Sequence, residues 1–343
     1  MKALLLTAYR QLEYTDFPVP VIQDNEVLVL VKACGICGSD VHGWDGSSGR
    51  RQPPLIMGHE ASGIIEDVGK DVTGWKKGYR VTFDSTVYPL DDWYTKTGHY
   101  NLSDNRQVLG VSTGEYRRHG AFAEYVAIPE HILYRIPDNV SFEHAAMTEP
   151  IAVAHHAINL AGKVKDQATI VVGAGMVGSF VIRLLKLYGA GPVIILDIDE
   201  EKLELARKFG ADLAMNPYHP DLQQIVLDST SGRGADISFE VVGISETVNT
   251  CITLTRKGGK VVLLGNVTPD IDFPVQQVVT REITVQGSCA INGEYRAVLE
   301  LLTSGNIPVD RMISATAPLA EGAAWFERLY NKERGLNKVL LIP

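Results

Sequence analysis

Three residues of the types that bind transition metals stand near one another in the first part of the chain. Cys37 lies in the segment 35–42, and His59 and Glu60 follow a short distance later. A thiolate, an imidazole and a carboxylate are ligands that a catalytic zinc takes, with a further position left for water or substrate. A structural zinc would be closed by a fourth protein ligand. The residue types therefore predict an open metal site that includes Cys37, His59 and Glu60.

Cys34 and Cys37 also have the C-x-x-C spacing of a redox pair or of half a zinc finger. The sequence contains no second close pair of cysteines to complete a finger, and no βαβ pattern surrounds the motif. Cys34 continues the apolar alternation of Val27, Val29 and Val31, which favours a small buried side chain. Cys37 is thus the ligand candidate. Four cysteines in 343 residues do not form a disulfide framework, which indicates a reduced compartment.

A second chemical feature is a glycine turn in the middle of the chain. The apolar run 169–172 is followed by Gly173, Gly175 and Gly178, and an apolar-periodic segment typical of a helix comes next. In this context the turn places backbone amides and a helix N-terminus at the pyrophosphate of a dinucleotide. We expect cofactor contacts from Gly173, Gly175, Met176, Val177, Gly178, Asp197, Val242 and Gly265.

Asp197 bears on the choice of cofactor. It follows the next predicted strand, where a carboxylate accepts hydrogen bonds from both adenosine ribose hydroxyls. Asp199 adds a second negative charge and no arginine stands there, which favours NAD over NADP. The alternative is that Asp197 caps the helix predicted to begin at Glu200.

Composition and charge exclude several classes of protein. The chain is 45% apolar and 21% charged, which suits a globular enzyme of about two domains. A net charge of −9 provides no basic surface for a phosphate backbone, so we expect no nucleic-acid partner. The apolar run at the N-terminus is too short for a signal sequence or a membrane span. We expect a cytoplasmic protein with no membrane partner.

The pattern of predicted elements changes near residues 150 and 289. Residues 1–150 show short β-rich runs broken by glycine and proline, which indicates a compact β-rich module. Residues 151–289 alternate strands with helices, the pattern of βαβ units and a parallel sheet. Residues 290–343 contain a helix near 295–302 and a final strand at 338–342 that is expected to rejoin the first module. The predicted fold class is α/β.

With both parts in view, the chain resembles the zinc-dependent medium-chain alcohol dehydrogenase family, and its sorbitol (polyol) dehydrogenase branch in particular. The motifs that carry the resemblance lie at residues 35–42, 58–63, 120–125, 149–153 and 173–178. The resemblance implies a GroES-like catalytic domain formed by 1–150 and completed by 290–343. It also implies a doubly wound Rossmann domain at 151–289 that binds NAD, with the active site in the cleft between the two domains.

The resemblance also implies roles for individual residues. Cys37 and His59 are expected zinc ligands, and Glu60 and Glu149 are the two carboxylates near the metal. In the polyol branch Glu60 commonly coordinates directly, whereas Glu149 lies close and acts through bound water. Asp40 is expected to orient His59. Ser39 is expected to accept the proton of the alcohol, which then passes by way of the nicotinamide ribose to His42.

The chain departs from the family between residues 85 and 110. Many relatives hold a structural zinc there on four cysteines, but this segment contains none, so we expect one catalytic zinc and no structural zinc. Asp91, Asp92 and His99 are interpreted as a solvated loop. We expect Trp93, Tyr94 and Tyr100 to contribute to an oligomer interface. Arg50 and Arg51 are interpreted as surface charge, with a clamp for a substrate phosphate or carboxylate as the alternative.

We therefore expect a zinc-dependent oxidoreductase that transfers hydride from a secondary alcohol of a polyol or sugar derivative to NAD, giving a ketone. The alternative substrates are a sugar acid, a polyol phosphate or L-threonine. A further alternative, outside enzymes, is a nucleotide-binding protein that has lost catalysis. The expected partners are a polyhydroxylated alcohol as substrate and further copies of the chain, in a homodimer or homotetramer.

Overall fold

The computed structural model of the chain describes residues 1–113 and 116–343. Its strands are β1 Lys2–Ala8, β2 Gln11–Asp16, β3 Glu26–Gly35, β4 Leu55–Ile56, β5 Glu60–Val68, β6 Arg80–Phe83, β7 Thr86–Val87, β8 Gln107–Val108, β9 Ser112–Thr113, β10 Tyr116–Arg117, β11 Tyr125–Pro129, β12 Leu133–Arg135, β13 Thr169–Val172, β14 Val193–Leu196, β15 Leu213–Met215, β16 Ala235–Glu240, β17 Thr255–Leu263, β18 Thr284–Gly287, β19 Ile313–Pro318 and β20 Lys338–Ile342. Its helices are α1 Gly38–Trp44, α2 Trp93–Lys96, α3 Phe142–Ala146, α4 Thr148–Ala161, α5 Met176–Leu187, α6 Glu200–Phe209, α7 Leu222–Ser229, α8 Ser245–Leu254, α9 Val275–Thr280, α10 Tyr295–Thr303 and α11 Gly322–Tyr330. Short 3₁₀ turns occur at Tyr100–Leu102, Glu130–Ile132, Val309–Arg311 and Leu319–Glu321.

The chain forms two compact units, residues 1–150 with 291–343 and residues 151–290. In the first unit a seven-stranded sheet has the order β12-β6-β5-β3-β20-β19, and β11 also pairs with β3. Strand β3 lies near the middle because Val27, Val29 and Val31 alternate along it and are buried on one face. Strand β20 pairs antiparallel with β3, so the last strand of the chain lies beside the segment that precedes Cys37.

The lobe at residues 84–113 of the first unit is ordered by hydrogen bonds and aromatic packing. The Tyr100 hydroxyl donates to the buried carboxylate of Asp84 at 2.6 Å, and the Tyr100 ring stacks on Tyr88 with centroids 4.1 Å apart. The amide of Gly293 donates to the same hydroxyl at 2.8 Å. Tyr100 is thus fixed within its own chain, whereas Trp93 is 70% exposed.

The second unit contains a six-stranded parallel sheet in the order β15-β14-β13-β16-β17-β18. This is the strand order of a doubly wound dinucleotide-binding sheet. Strands β13 and β14 are buried at every position, as expected when helices cover both faces. Helix α6 begins at the N-cap Asp199, whose carboxylate accepts from the Glu201 amide at 2.9 Å, and ends at Gly210 in the left-handed conformation.

Several element bounds differ from the sequence-based expectation. Strand β17 begins at Thr255 rather than near Val261, because Thr255 pairs with Ala235 ahead of a shift in register that spans Gly258 and Gly259. Glycines of this kind weaken a strand prediction from sequence. Helix α4 begins at Thr148, ahead of the expected boundary at 150. Strand β19 and helix α11 were not expected from the pattern. In the part of the chain that the structure describes, no helix is long and apolar enough to cross a membrane.

Candidate active site

Cys37 is held at the start of a helix, directly after the central strand β3. It is the N-cap of α1, and its sulfur accepts from the Ser39 amide at 3.4 Å. The Asp40 carboxylate accepts from the Cys37 amide at 3.2 Å, which completes a capping box. The local sequence therefore fixes the direction of the thiol through its own turn.

Glu60 is the first residue of β5 and pairs in register with Gly35 at the end of β3. A Cβ atom on Gly35 would lie 2.3 Å from Glu60 Oε2, so the carboxylate fills the space that this glycine leaves. Lys338 at the start of β20 donates to Oε2 at 2.5 Å and to the Ile36 carbonyl at 2.9 Å. Lys338 is 1% exposed, so the pair is fully buried.

His59 joins these two residues in one cluster. The ligand atoms of Cys37, His59 and Glu60 all lie within 4.8 Å of one another. Glu60 Oε1 is buried and has no hydrogen-bond partner among the described residues. A buried orphan oxygen beside a thiol and an imidazole is a donor set that fits a zinc ion. Among residues 1–113 and 116–343 this is the one such group, and Asp91, Asp92 and His99 form none.

Asp40 connects the cluster to a buried arginine. Its Oδ1 atom lies 3.3 Å from His59 Nδ1, at an angle that is not that of a hydrogen bond, and 3.0 Å from Arg51 Nη2. Burial alone would raise the pKa of Asp40, but His59, Arg51 and the Cys37 amide together lower it to about 2. The interpretation of Arg51 as surface charge was wrong, because its guanidinium is neutralised by Asp40 and the residue is only 3% exposed.

The residues of the expected proton path lie on or near α1. Ser39 Oγ is 3.3 Å from Cys37 Sγ and accepts from Arg51 Nη2 at 3.0 Å. His42 is exposed one turn further along, with Nδ1 3.4 Å from the Ser47 hydroxyl. The structure thus places one residue beside the cluster and the other at the surface.

Glu149 lies in the first turn of α4 and outside the group of mutually close ligand atoms. Burial is the main cause that raises the pKa of its carboxyl to about 8; the charge of His59 opposes this shift and that of Glu60 adds to it. The carboxyl is therefore near enough to sense both residues. Its role as a ligand or through bound water stays a prediction.

The glycine turn of the second unit connects β13 to α5. Gly173 has φ of 108°, and a Cβ atom on Gly178 would lie 1.9 Å from the Gly173 carbonyl oxygen, so the helix can approach the turn only with glycine there. A Cβ atom on Gly175, the N-cap of α5, would meet nothing within 4 Å. Open space over a helix N-terminus fits a pyrophosphate, with Met176 and Val177 in the first turn.

Asp197 follows β14, as the sequence predicted, and contacts the glycine turn. Its Oδ2 accepts from the Ala174 amide at 2.7 Å and its Oδ1 from the Asp199 amide at 2.9 Å. The cap of α6 is Asp199, so the alternative interpretation of Asp197 as that cap was wrong. In the described ranges Asp197 takes part in no ion pair with an arginine or lysine.

The other two predicted cofactor contacts, Val242 and Gly265, lie after the neighbouring strands β16 and β17. Both are held by Glu240, whose buried carboxylate accepts from the Val242 amide at 2.9 Å and from the Gly243 amide at 2.8 Å. The Glu240 carbonyl accepts from the Gly265 amide at 3.1 Å. One residue therefore shapes both loops at the carboxyl edge of the sheet, where such folds bind nucleotides.

Sequence reasoning missed Arg51, Glu240 and Lys338 as parts of these sites. Lys338 stands in the last strand, far from Glu60 in sequence, and no local pattern connects them. Glu240 gave a signal, because a carboxylate inside an apolar strand of a parallel sheet has to be satisfied by its surroundings. Arg51 gave none beyond its position shortly before Pro53 and Pro54.

A parallel sheet with a dinucleotide turn, in one chain with an open metal cluster, defines a nicotinamide- and metal-dependent oxidoreductase. Residues 23–138 match the alcohol dehydrogenase GroES-like domain, and residues 176–304 match the zinc-binding dehydrogenase domain. The D-xylulose reductase A of Aspergillus oryzae is 32% identical over 95% of this chain and 93% of its own length. The chain belongs to the zinc-dependent medium-chain alcohol dehydrogenase family.

Solved structures agree with this assignment. A zinc-binding dehydrogenase from Sinorhizobium meliloti, solved with NADP bound, superposes with a TM-score of 0.91 at 30% identity, over 100% of this chain and 99% of its own. Galactitol-1-phosphate dehydrogenase from Escherichia coli superposes with a TM-score of 0.92 at 26% identity, over 100% of both chains. The predicted fold class, GroES-like domain and Rossmann domain are confirmed, as is the prediction of a zinc-dependent dehydrogenase.

Proposed function

We propose that this enzyme oxidises a secondary alcohol of a polyhydroxylated substrate to a ketone, with NAD as the hydride acceptor. The observation that carries the proposal is the cluster of Cys37, His59 and Glu60, in which a carboxylate supplies the third donor. A carboxylate makes the bound metal harder than a second thiolate would, which favours oxygen-rich substrates. The names of the D-xylulose reductases, which cover nearly all of the chain, support the same substrate class.

Different residues of the site have different roles in removing the proton of the alcohol. When bound, zinc supplies a Lewis acid that lowers the pKa of the substrate hydroxyl. Cys37, His59 and Glu60 would hold the ion, and Glu149 lies beside them. Ser39, whose oxygen is fixed beside the cluster, accepts the proton, and the exposed His42 releases it to solvent.

The second unit supplies the hydride acceptor. A bound nicotinamide would supply the acceptor for the hydride of the carbinol carbon. Asp197, with Asp199 close by, is unfavourable to a 2′-phosphate and has no arginine partner in the described residues, which supports NAD over NADP. The single ligand group found among the described residues supports one zinc per chain.

We also propose a homodimer or homotetramer. In the described part of the chain β18 is one of the two edge strands of the six-stranded sheet, and the neighbouring helix α9 exposes Val275 and Val279. Paired edges and covered apolar residues are what a symmetric interface provides. Light scattering on the purified protein measures the mass, and a monomer at micromolar concentration would contradict this assignment.

A spectrophotometric screen tests the substrate class. The zinc-loaded protein is incubated with NAD and a panel of polyols, aldonates, sugar phosphates and L-threonine, and NADH is followed by its absorbance. We expect the highest kcat/KM with a polyol, and Cys37→Ser as the control should be inactive. Highest activity with a sugar phosphate, a sugar acid or threonine would replace the proposed substrate, and inactivity throughout would refute the function. The binding of Arg51 to Ser39 and Asp40 removes one support for a phosphate.

A further inference from the structure

The most unusual group near the cluster is the buried guanidinium of Arg51. The loop that follows α1 turns it back under the helix, and a single nitrogen, Nη2, donates to both Ser39 Oγ and Asp40 Oδ1 at 3.0 Å. That nitrogen has two hydrogens, so each acceptor receives one. Arg51 Nε is buried and has no hydrogen-bond partner among the described residues, whereas Nη2 donates to two acceptors.

The protein makes room for this side chain. Gly43 lies on the side of α1 that covers Arg51, and a Cβ atom there would lie 2.4 Å from Arg51 Cδ and 2.7 Å from Cγ. Any other residue at this position would displace the arginine. Burying a charge in this way is costly unless it is paired, and Asp40, which is 0% exposed, supplies the pair.

We infer that Arg51 is a positioning residue that ties the proton acceptor Ser39 to the metal ligand His59 by way of Asp40. The inference rests on the proposed proton transfer through Ser39. Nη2 donates to the Ser39 oxygen, and the Ser39 hydroxyl donates to Cys37 Sγ at 3.3 Å. These two contacts hold the hydroxyl in one rotamer beside the cluster.

Two consequences follow from this geometry. The cationic guanidinium favours any state in which the Ser39 oxygen carries negative charge, as it does when its own hydroxyl proton has moved on and the alcohol proton has not yet replaced it. The same nitrogen holds Asp40 Oδ1, the atom that faces His59 Nδ1 at 3.3 Å. Partners of metal-ligating histidines of this kind typically change metal affinity about 10- to 100-fold when removed.

Four variants test the inference. Arg51→Met removes the guanidinium, and Arg51→Lys keeps the charge on a shorter side chain that cannot bridge both acceptors. Gly43→Ala removes no functional group, but its added Cβ atom displaces the arginine side chain. Alanine favours a helix, so this change should not unfold α1. Arg50→Met is the matched control, because Arg50 is the neighbouring exposed arginine.

The first readout is zinc affinity, measured by competition with a chromophoric chelator and independent of activity. We expect about tenfold weaker binding in Arg51→Met, a smaller loss in Arg51→Lys and Gly43→Ala, and no change in Arg50→Met. Equal affinities in Arg51→Met and Arg50→Met would overturn the connection to His59. This result stands even if the wild type oxidises no substrate in the panel, an outcome that would refute the proposed function alone.

The second readout is a double-mutant cycle on polyol oxidation. Arg51→Met should lower kcat at least tenfold, raise the solvent isotope effect and leave the KM for NAD unchanged within about twofold. In the Ser39→Ala background the same substitution should lower kcat little further, because the two residues act as a unit. Multiplicative losses, or an unchanged isotope effect, would overturn the connection to Ser39. Arg51→Lys, which keeps the buried charge, should recover part of the rate and guards against a folding failure in Arg51→Met.

Discussion

At the scale of single residues, the site depends on buried charges that pair across the first unit. Lys338 and Glu60 are 278 residues apart in the sequence, and Lys338 Nζ lies 2.5 Å from Glu60 Oε2 in the interior. Burial would lower the pKa of Lys338, but Glu60 and Cys37 raise it, so the lysine stays charged. With Oε2 held by the lysine, Oε1 is the oxygen left for a metal. Lys338 therefore orients the carboxylate of a proposed metal ligand.

Removing Lys338 should be costly. We expect Lys338→Met to lower the free energy of unfolding by about 3–5 kcal/mol, because it leaves the Glu60 carboxylate buried without its cation. The matched control is Lys77→Met, which breaks an ion pair of the same 2.5 Å length to Glu66 at the exposed surface. That change should cost much less, because solvent screens an exposed ion pair. Urea unfolding of both variants provides the comparison, and similar losses would show that burial does not set the strength of the Lys338 pair.

A second prediction at the scale of residues concerns Asp197 and the choice between NAD and NADP. The wild type should prefer NAD to NADP by well over tenfold in kcat/KM, because the carboxylate opposes a 2′-phosphate (on the order of 1.4 kcal/mol per tenfold). Asp197→Ala should narrow this preference, mainly through a weaker affinity for NAD. Initial rates with both cofactors at fixed substrate measure it. Equal kcat/KM values in the wild type would contradict the assignment of NAD.

The proposed role of His42, the release of the proton to solvent, can be tested through the pH dependence of a variant. His42→Ala should lower kcat for oxidation most below about pH 7, where hydroxide cannot take the proton, and less near pH 9. Added imidazole should restore part of the rate. A wild-type pH profile in this variant would mean that the proton leaves by another route, with Glu149 the nearest candidate. In that event the dehydrogenase assignment would stand and the role of His42 would be wrong.

At the scale of elements, sequence periodicity identified most strands of the two large sheets. It did not identify the contacts that order the lobe at residues 84–113. The apolar alternation of β3 and the continuous apolar runs of β13 and β14 predicted their burial because each pattern reports a local environment. Tyr100 was expected at an oligomer interface. That role stays a prediction, but the Tyr100 hydroxyl binds Asp84 and the Gly293 amide, a contact between distant parts of the chain that no local pattern encodes.

Asp84 gives this lobe a pH dependence. Burial raises its pKa to about 6, although hydrogen bonds from Tyr100 and the Thr86 amide oppose the shift. The folded protein therefore holds this proton more tightly than the unfolded chain, and stability at this site is lost as the pH rises from about 4 to about 6. Between pH 4 and pH 7, Asp84→Asn should gain about 3 kcal/mol of unfolding free energy relative to the wild type.

The matched control for this prediction is Asp91→Asn in the same lobe, where the carboxylate is exposed. Its difference from the wild type should be independent of pH. Urea unfolding of the three proteins at about pH 4, 5, 6 and 7 makes the comparison, because this range spans the pKa of Asp84 in the unfolded and in the folded protein. If Asp84→Asn and the wild type differ by a constant amount across the range, the buried carboxyl is not protonated as the structure indicates.

At the scale of the whole molecule, the sequence was sufficient to predict the family, the folds of the two domains and the cluster of Cys37, His59 and Glu60. Each of these depends on short motifs that can be identified one at a time in the sequence. The parts it did not reveal, Arg51 under α1 and Lys338 against Glu60, depend on the return of the chain after residue 290 and on space left by Gly35 and Gly43. Such contacts follow from packing in three dimensions and leave no periodic signal.

The measurement that tests the central claim most directly is a zinc titration of the chelator-treated protein with NAD and a polyol. If Cys37, His59 and Glu60 form the single catalytic site, NADH formation should be absent without zinc, rise in proportion to added zinc and level off at one zinc bound per chain. Cys37→Ser should stay folded and inactive throughout, since an open catalytic site contributes less to folding than a closed structural one. Activity that survives metal removal, or a plateau at two zinc ions per chain, would contradict the account.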